Sequence, residues 1–263
     1  MSVFEALILG AVQGITEFLP VSSSGHLVLL QKIFRIRESA LLFDTMVHGG
    51  TLIAVFIVLR KDIWNILRRP IQPITGYLLI ATIPAVVFAL AFKDAIERAF
   101  ESGAFLGFAF LFTSLMLIVS DLLSKRAGKN REKPEMNWLD SLVIGLLQGI
   151  AIIPGISRSG ATLSGALSRK LDRDFAARFS FLLSIPAILG ALVLQLKDLP
   201  AQDATGGAGS AALLAGTITA AAVGFISVKL MLKIVREYSL RGFALYTALL
   251  GVLTLILQYR GNF

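Results

Sequence analysis

No cysteine occurs among the 263 residues, which excludes disulfides, thiol catalysis and cysteine-based metal sites. Charge is scarce as well. Asp, Glu, Lys and Arg make up 16% of the chain, against roughly a quarter in a soluble domain. No Lys or Arg precedes Lys32, so the chain lacks the basic leader of a signal peptide, and its N-terminal segment is expected to belong to the working protein. Its cations carry no accompanying pattern of base-stacking aromatics, which argues against nucleic acid as a partner.

What is present in quantity is apolar: 56% of the residues, with a mean hydropathy of +0.77. Runs of membrane-spanning length recur along the chain, which therefore reads as an all-α polytopic membrane protein. The net charge of +8 follows from the excess of Lys and Arg in loops on the cytoplasmic side of a bilayer.

Two polar stretches interrupt this apolar background. Gln13-Gly-Ile-Thr-Glu17-Phe-Leu-Pro20-Val-Ser-Ser-Ser-Gly-His26 packs a carboxylate, several hydroxyls and an imidazole together. Gln148-Gly-Ile-Ala-Ile-Ile-Pro154-Gly-Ile-Ser157-Arg158-Ser159-Gly-Ala-Thr162 answers it. Polar groups at membrane depth are costly without partners or a task, so the two stretches together form a candidate site.

In chain order, Val3–Leu19 is apolar but broken by Gln13, Glu17 and Pro20, and Ser22–Phe34 is too short and polar to cross alone. Helix, break and helix predict a re-entrant hairpin over residues 2–34. Spans are expected at Leu41–Leu59, Ile74–Phe92 and Ala104–Leu122, followed by the basic loop Ser124–Asn137. The pattern then repeats: a second hairpin over 138–168, broken at Pro154-Gly155, then spans at Phe175–Leu196, Ala211–Val235 and Phe243–Tyr259. Gly10-Ala-Val-Gln13-Gly-Ile aligns with Gly145-Leu-Leu-Gln148-Gly-Ile, and Ser24-Gly25 with Ser159-Gly160, at an offset of 135. A single membrane domain, 1–263, thus divides into a first repeat, 1–123, and a second, 138–263. Three spans per repeat invert the second repeat, giving about six transmembrane helices plus two hairpins whose tips meet at the midplane. Loop charge sets the orientation. Lys and Arg number fourteen in the loops Arg60–Pro73, Ser124–Asn137, Arg169–Asp174 and Arg236–Arg241, and seven in the loops Lys93–Gly103 and Lys197–Ser210, the C-terminal tail and Lys32, Arg35 and Arg37. The first group is expected to be cytoplasmic and Ala201–Ser210 external.

At each tip a helix starts just past a proline break, near Ser23 or Ser24 and near Ser159, and points free N–H groups and its positive dipole end at the tip. Two such ends converging suit a phosphate. Arg158 adds a planar cationic fork; its alternative is a structural ion pair with Glu17. Glu17 and Gln13 share a helical face and suit a hard divalent cation, Mg2+ or Ca2+; Gln13 reads equally as polar glue between helices. His26, one turn beyond Ser23, is placed to act as its base, with a satisfied structural imidazole as the alternative. His48, beside Gly49-Gly50 in a span, reads as packing. Lys229 and Lys233 are expected to snorkel to the interface.

The two stretches closely resemble the paired signatures of the undecaprenyl-diphosphate phosphatases, also called bacitracin-resistance proteins. The resemblance runs the length of the chain and includes Phe179-Ser-Phe-Leu-Leu after the second signature. It implies a multi-pass enzyme of the bacterial inner membrane that hydrolyses undecaprenyl diphosphate and so recycles the lipid carrier of cell-wall synthesis. Its functional residues fall on Gln13, Glu17, Ser23, His26, Ser157, Arg158 and Thr162. Where the family's first acidic position allows Glu or Gln, this chain has Gln13, so a clamp of two carboxylates is not assumed. The expected roles are catalysis by Glu17, Ser23, His26 and Arg158, substrate contacts by Ser22, Ser24, Ser157, Ser159 and Thr162, and metal binding by Glu17 and Gln13. The expected partners are a polyprenyl diphosphate and the membrane, and a homo-oligomer is compatible with the sequence. The rival reading is a polyprenyl-phosphate flippase, since inverted repeats with broken helices also build transporters.

Overall fold

The computed structural model describes residues 1–34, 36, 41–127, 135–198 and 209–260. Within them the chain is all helical: α1 Val3–Thr16, α2 Ser23–Ile33, α3 Leu41–Val58, α4 Arg60–Arg68, α5 Pro73–Ala91, α6 Lys93–Ser102, α7 Leu106–Ala127, α8 Trp138–Ile150, α9 Arg158–Ser168, α10 Arg173–Asp198, α11 Ser210–Glu237 and α12 Arg241–Tyr259. Five of these (α5, α7, α10, α11 and α12) are long and apolar enough to cross a membrane. The pair α3 and α4, bent by 78°, makes a sixth if it is taken as one span. Outward faces carry exposed Leu79, Ile83, Ile218, Leu245 and Leu249, which only a lipid environment accommodates in such number. The protein is a polytopic membrane protein.

Both expected hairpins form as helix pairs broken at Pro20 and Pro154, and their local signals match. Ser2 with Glu5, and Asn137 with Asp140, close reciprocal capping boxes at the starts of α1 and α8. The starts of α2 and α9, at Ser23 and Arg158, are 135 positions apart, as are those of α7 and α12, at Leu106 and Arg241. Packing exchanges between the two halves in the same way. Helix α1 lies on α11 while α8 lies on α5; α3 also packs on α11, and α10 on α5. Small residues permit these approaches. A Cβ on Gly10 would stand 2.3 Å from Gly216 O, and one on Gly145 would stand 2.6 Å from Ala81 O.

Two segments read as loops are helices. Arg60–Pro73 contains α4, and Lys93–Gly103 contains α6. Their charge density hid an apolar stripe: Ile63 and Ile66 of α4 pack against the main core, while Arg68 lies 4.8 Å above the Trp64 ring. Helix α7 also runs on to Ala127, into the expected basic loop. Lys129, Arg131 and Lys133, and most of the loop at 201–210, lie outside the described residues.

The grouping of loops by charge has a counterpart in side-chain bonds. Arg178 of α10 pairs with Asp62 of α4 at 3.2 Å, Arg173 donates to Tyr238 O at 2.6 Å, and Arg241 pairs with Asp121 at 2.8 Å. These contacts gather the strongly basic segments at one end of the bundle. The opposite end is tied by Lys32 to Ser102 O at 3.1 Å and by Gln258 to Gly103 O at 2.7 Å.

The largest core lies around the turn of the first hairpin, where Phe18 meets α9, α10 and α11. Phe179, Phe181, Leu182 and Leu183 are all buried there, and Phe18 meets Phe181 edge-on at 5.6 Å. The apolar run after the second signature is thus the packing floor of the first tip.

Candidate active site

The N-caps of the two inner helices are Ser22 and Ser157; α2 starts at Ser23, as expected, and α9 at Arg158, one residue ahead of the expected Ser159. Ser22 Oγ accepts from Gly25 N at 3.2 Å and Ser157 Oγ from Gly160 N at 3.0 Å. Ser22 holds a left-handed φ of 71°, a costly conformation for a residue with a side chain and one tolerated where surroundings fix it. Gly155 turns the other tip at φ 91°, and the two tips touch directly. A Cβ on Gly25 would lie 3.1 Å from Gly155 Cα. Gly155 N donates to Ser24 Oγ at 3.4 Å, and Ser159 Oγ donates to Leu19 O at 2.9 Å.

Glu17 is the hub. Its Oε1 is salt-bridged by Arg158 Nη2. Its Oε2 accepts from Ser23 Oγ at 2.5 Å and from Gln13 Nε2 at 2.9 Å, and His48 Nε2 stands 3.7 Å away. The Glu17 side chain is 5% exposed and that of Arg158 17%, so the pair sits out of water and each charge depends on the other. Glu17 closes α1, Ser23 opens α2, Arg158 opens α9 and His48 rides on α3. Four helices therefore converge on one carboxylate.

His26 is held elsewhere than on Ser23. Its Nδ1 meets Ser22 O at 2.6 Å and its Nε2 meets Tyr246 OH at 2.7 Å. The expected pairing of Ser23 with His26 is replaced by Ser23 with Glu17. Of the five expected substrate hydroxyls, Ser22 and Ser157 cap helices, Ser159 is bonded to Leu19, and Ser24 links the tips. Thr162 is fully buried, bonded to Arg158 O at 3.0 Å and to Ser180 Oγ at 2.6 Å. These hydroxyls shape the backbone that frames the gap. At the tips the first N–H groups of α2 and α9 have no intrahelical acceptor, and the Arg158 guanidinium stands beside them, paired with Glu17.

Two residues at this place carried little or no signal in sequence. His48 is an ionisable group inside an apolar span, and that alone marks it; its Nδ1 meets Asp44 O at 2.6 Å. Tyr246 had none, because a tyrosine in an apolar helix is unremarked. For a divalent cation one atom is suggestive and the rest of the lining is not, both Glu17 oxygens being bonded already. Gln13 Oε1 is buried without a hydrogen-bond partner, beside the Glu17 carboxylate. No group of three or more His, Asp or Glu suited to a metal occurs among the described residues.

Comparison with known proteins gives one consistent result. The family model described as bacitracin resistance protein BacA matches residues 6–253. Over 264 residues, the full length of both chains, this one is 48% identical to the undecaprenyl-diphosphatase of Carboxydothermus hydrogenoformans. It is 44% identical over 263 residues, again the full length of both, to undecaprenyl-diphosphatase 3 of Bacillus cereus. The undecaprenyl-diphosphatase of Methanosphaera stadtmanae is 40% identical over 280 residues, covering 98% of this chain and 99% of that one.

Proposed function

The chain belongs to the bacitracin resistance protein BacA family, and from that membership we propose that it is an integral-membrane undecaprenyl-diphosphatase. It hydrolyses undecaprenyl diphosphate to undecaprenyl phosphate and inorganic phosphate. That activity recycles the lipid carrier for cell-wall synthesis and confers resistance to bacitracin. The place of action is the bacterial cytoplasmic membrane, with the basic end of the bundle facing the cytoplasm. The two repeats, 1–123 and 138–263, lie inverted with respect to each other, each contributing one hairpin. The observation that carries the reading is the Arg158–Glu17 ion pair, which joins the two hairpin tips at a carboxylate also bonded to Ser23.

In this reading the terminal phosphate enters the gap between the starts of α2 and α9. Free N–H groups there and the Arg158 fork bind its oxygens and stabilise charge in the transition state. Ser23 Oγ attacks the terminal phosphorus, and its proton passes to Glu17 Oε2, with which it shares a 2.5 Å bond. The new Oγ–P bond replaces the bond from phosphorus to the bridging oxygen, and undecaprenyl phosphate departs with that oxygen. Water then attacks the phosphoserine, with His26 Nε2 taking a proton from the water. The P–Oγ bond breaks, Glu17 returns its proton to Ser23, phosphate leaves, and His26 gives the water's proton up to solvent. A divalent cation, held by Glu17, Gln13 Oε1 and the substrate phosphates, would neutralise charge on the phosphate oxygens.

A flippase reading is not favoured, since the similar proteins bear the names of phosphatases. Phosphate release by purified protein in detergent, with no membrane to cross, tests the choice. Undecaprenyl diphosphate should be turned over many times per protein. Tight binding without release would leave a lipid carrier protein instead.

A further inference from the structure

His26 is immobilised from three directions, and one of them comes from the far end of the chain. Its Nδ1 lies 2.6 Å from Ser22 O; a carbonyl only accepts, so Nδ1 carries a hydrogen. In the neutral ring Nε2 is then a bare acceptor, and the Tyr246 hydroxyl 2.7 Å away donates to it. The rings of His26 and Tyr246 lie within 7° of parallel, while Phe110 meets the imidazole edge-on at 5.6 Å.

Tyr246 is itself well placed to hold this position. Two residues before it, Ala244 O accepts from Ser114 Oγ of α7 at 2.7 Å, and α7 also supplies Phe110. Helices α7 and α12 pack closely enough that a Cβ on Gly251 would lie 2.9 Å from Gly107 O. The Tyr246 ring is exposed on one side, where it lines an apolar groove with Ile15, Leu19, Val21 and Phe243. It is thus apolar toward the groove and polar toward His26, the ordinary use of tyrosine at such a boundary. Without its hydroxyl, Nε2 would be a buried acceptor with no partner and the ring would lose one of its anchors, while Ser22 O would still hold the hydrogen on Nδ1.

We propose that Tyr246 is the positioning residue of His26. With Ser22 O holding the hydrogen on Nδ1, the Tyr246 hydroxyl fixes the plane of the ring and occupies Nε2 until a water donates there in its place. The proposal rests on His26 taking part in the reaction as set out above.

Tyr246→Phe keeps the ring and removes only the hydroxyl. With undecaprenyl diphosphate in detergent, kcat should fall about tenfold while KM stays within about twofold, the scale of one lost hydrogen bond. In 15N-histidine-labelled protein, with His48→Gln identifying the second imidazole, the His26 Nε2 resonance should move while the melting temperature holds. A wild-type kcat in Tyr246→Phe overturns the proposal, and so does a lowered kcat with unmoved His26 resonances. His26→Ala separates the two levels. If that variant keeps full activity, the catalytic reading of His26 fails, whereas the resonance shift still reports whether Tyr246 bonds Nε2.

Discussion

Glu17 and Arg158, 141 positions apart in the chain, share a buried ion pair where two helix hairpins meet tip to tip. Removing one partner of such a pair leaves an unpaired charge away from water, at a cost of about 3–5 kcal/mol. Glu17→Gln and Arg158→Gln should therefore each lower the melting temperature in detergent strongly. The double variant should be less destabilised than the sum of the two, because it strands no charge. Strict additivity would mean the pair is not coupled.

Arg158→Lys keeps the charge and loses the planar fork. Turnover should fall about 100- to 1000-fold, the scale of losing a transition-state donor, with folding close to normal by circular dichroism. Near-wild-type kcat at saturating substrate would take Arg158 out of the chemistry.

Helix approach predicts a graded response to added methyl groups. Gly10→Ala and Gly145→Ala place a Cβ against backbone oxygens at 2.3 and 2.6 Å, and overpacking of this kind costs about 1–3 kcal/mol. Gly76→Ala meets nothing within 4 Å and should leave the melting temperature unchanged. Equal shifts for all three would show that the α1–α11 and α5–α8 contacts are looser than described.

The hairpins were legible in sequence because lipid makes polar residues and proline breaks conspicuous, and because the Gln-Gly-Ile and Ser-Gly anchors recur at a fixed offset. The partner of Ser23 was not. A spacing of three residues placed His26 beside Ser23, yet Ser22 takes a left-handed φ of 71°, and the His26 ring is held by Ser22 O and Tyr246. Glu17, across the break, is left facing Ser23. Tyr246 lies 220 positions from His26, and no local pattern links them. Helices α4 and α6 were missed because lysines, arginines and acids on their exposed faces outweigh the apolar residues on the other.

Orientation is tested by single cysteines, which meet no native thiol in this chain. In intact cells a membrane-impermeant thiol reagent should leave a cysteine at Lys129 unlabelled and modify one at Thr205. The opposite pattern would reverse the assigned sides.

Attack by Ser23 within the joined tips is tested most directly by rapid quenching during the first turnover. The substrate is undecaprenyl diphosphate labelled in its terminal phosphate. The label should appear transiently on the peptide containing Ser23, and should vanish in Ser23→Ala, with activity lost by orders of magnitude. Ser22→Ala and Ser24→Ala, its neighbours, should still show the labelled peptide. Label found only as free phosphate, together with equal and mild losses for the three serine variants, would contradict attack by Ser23.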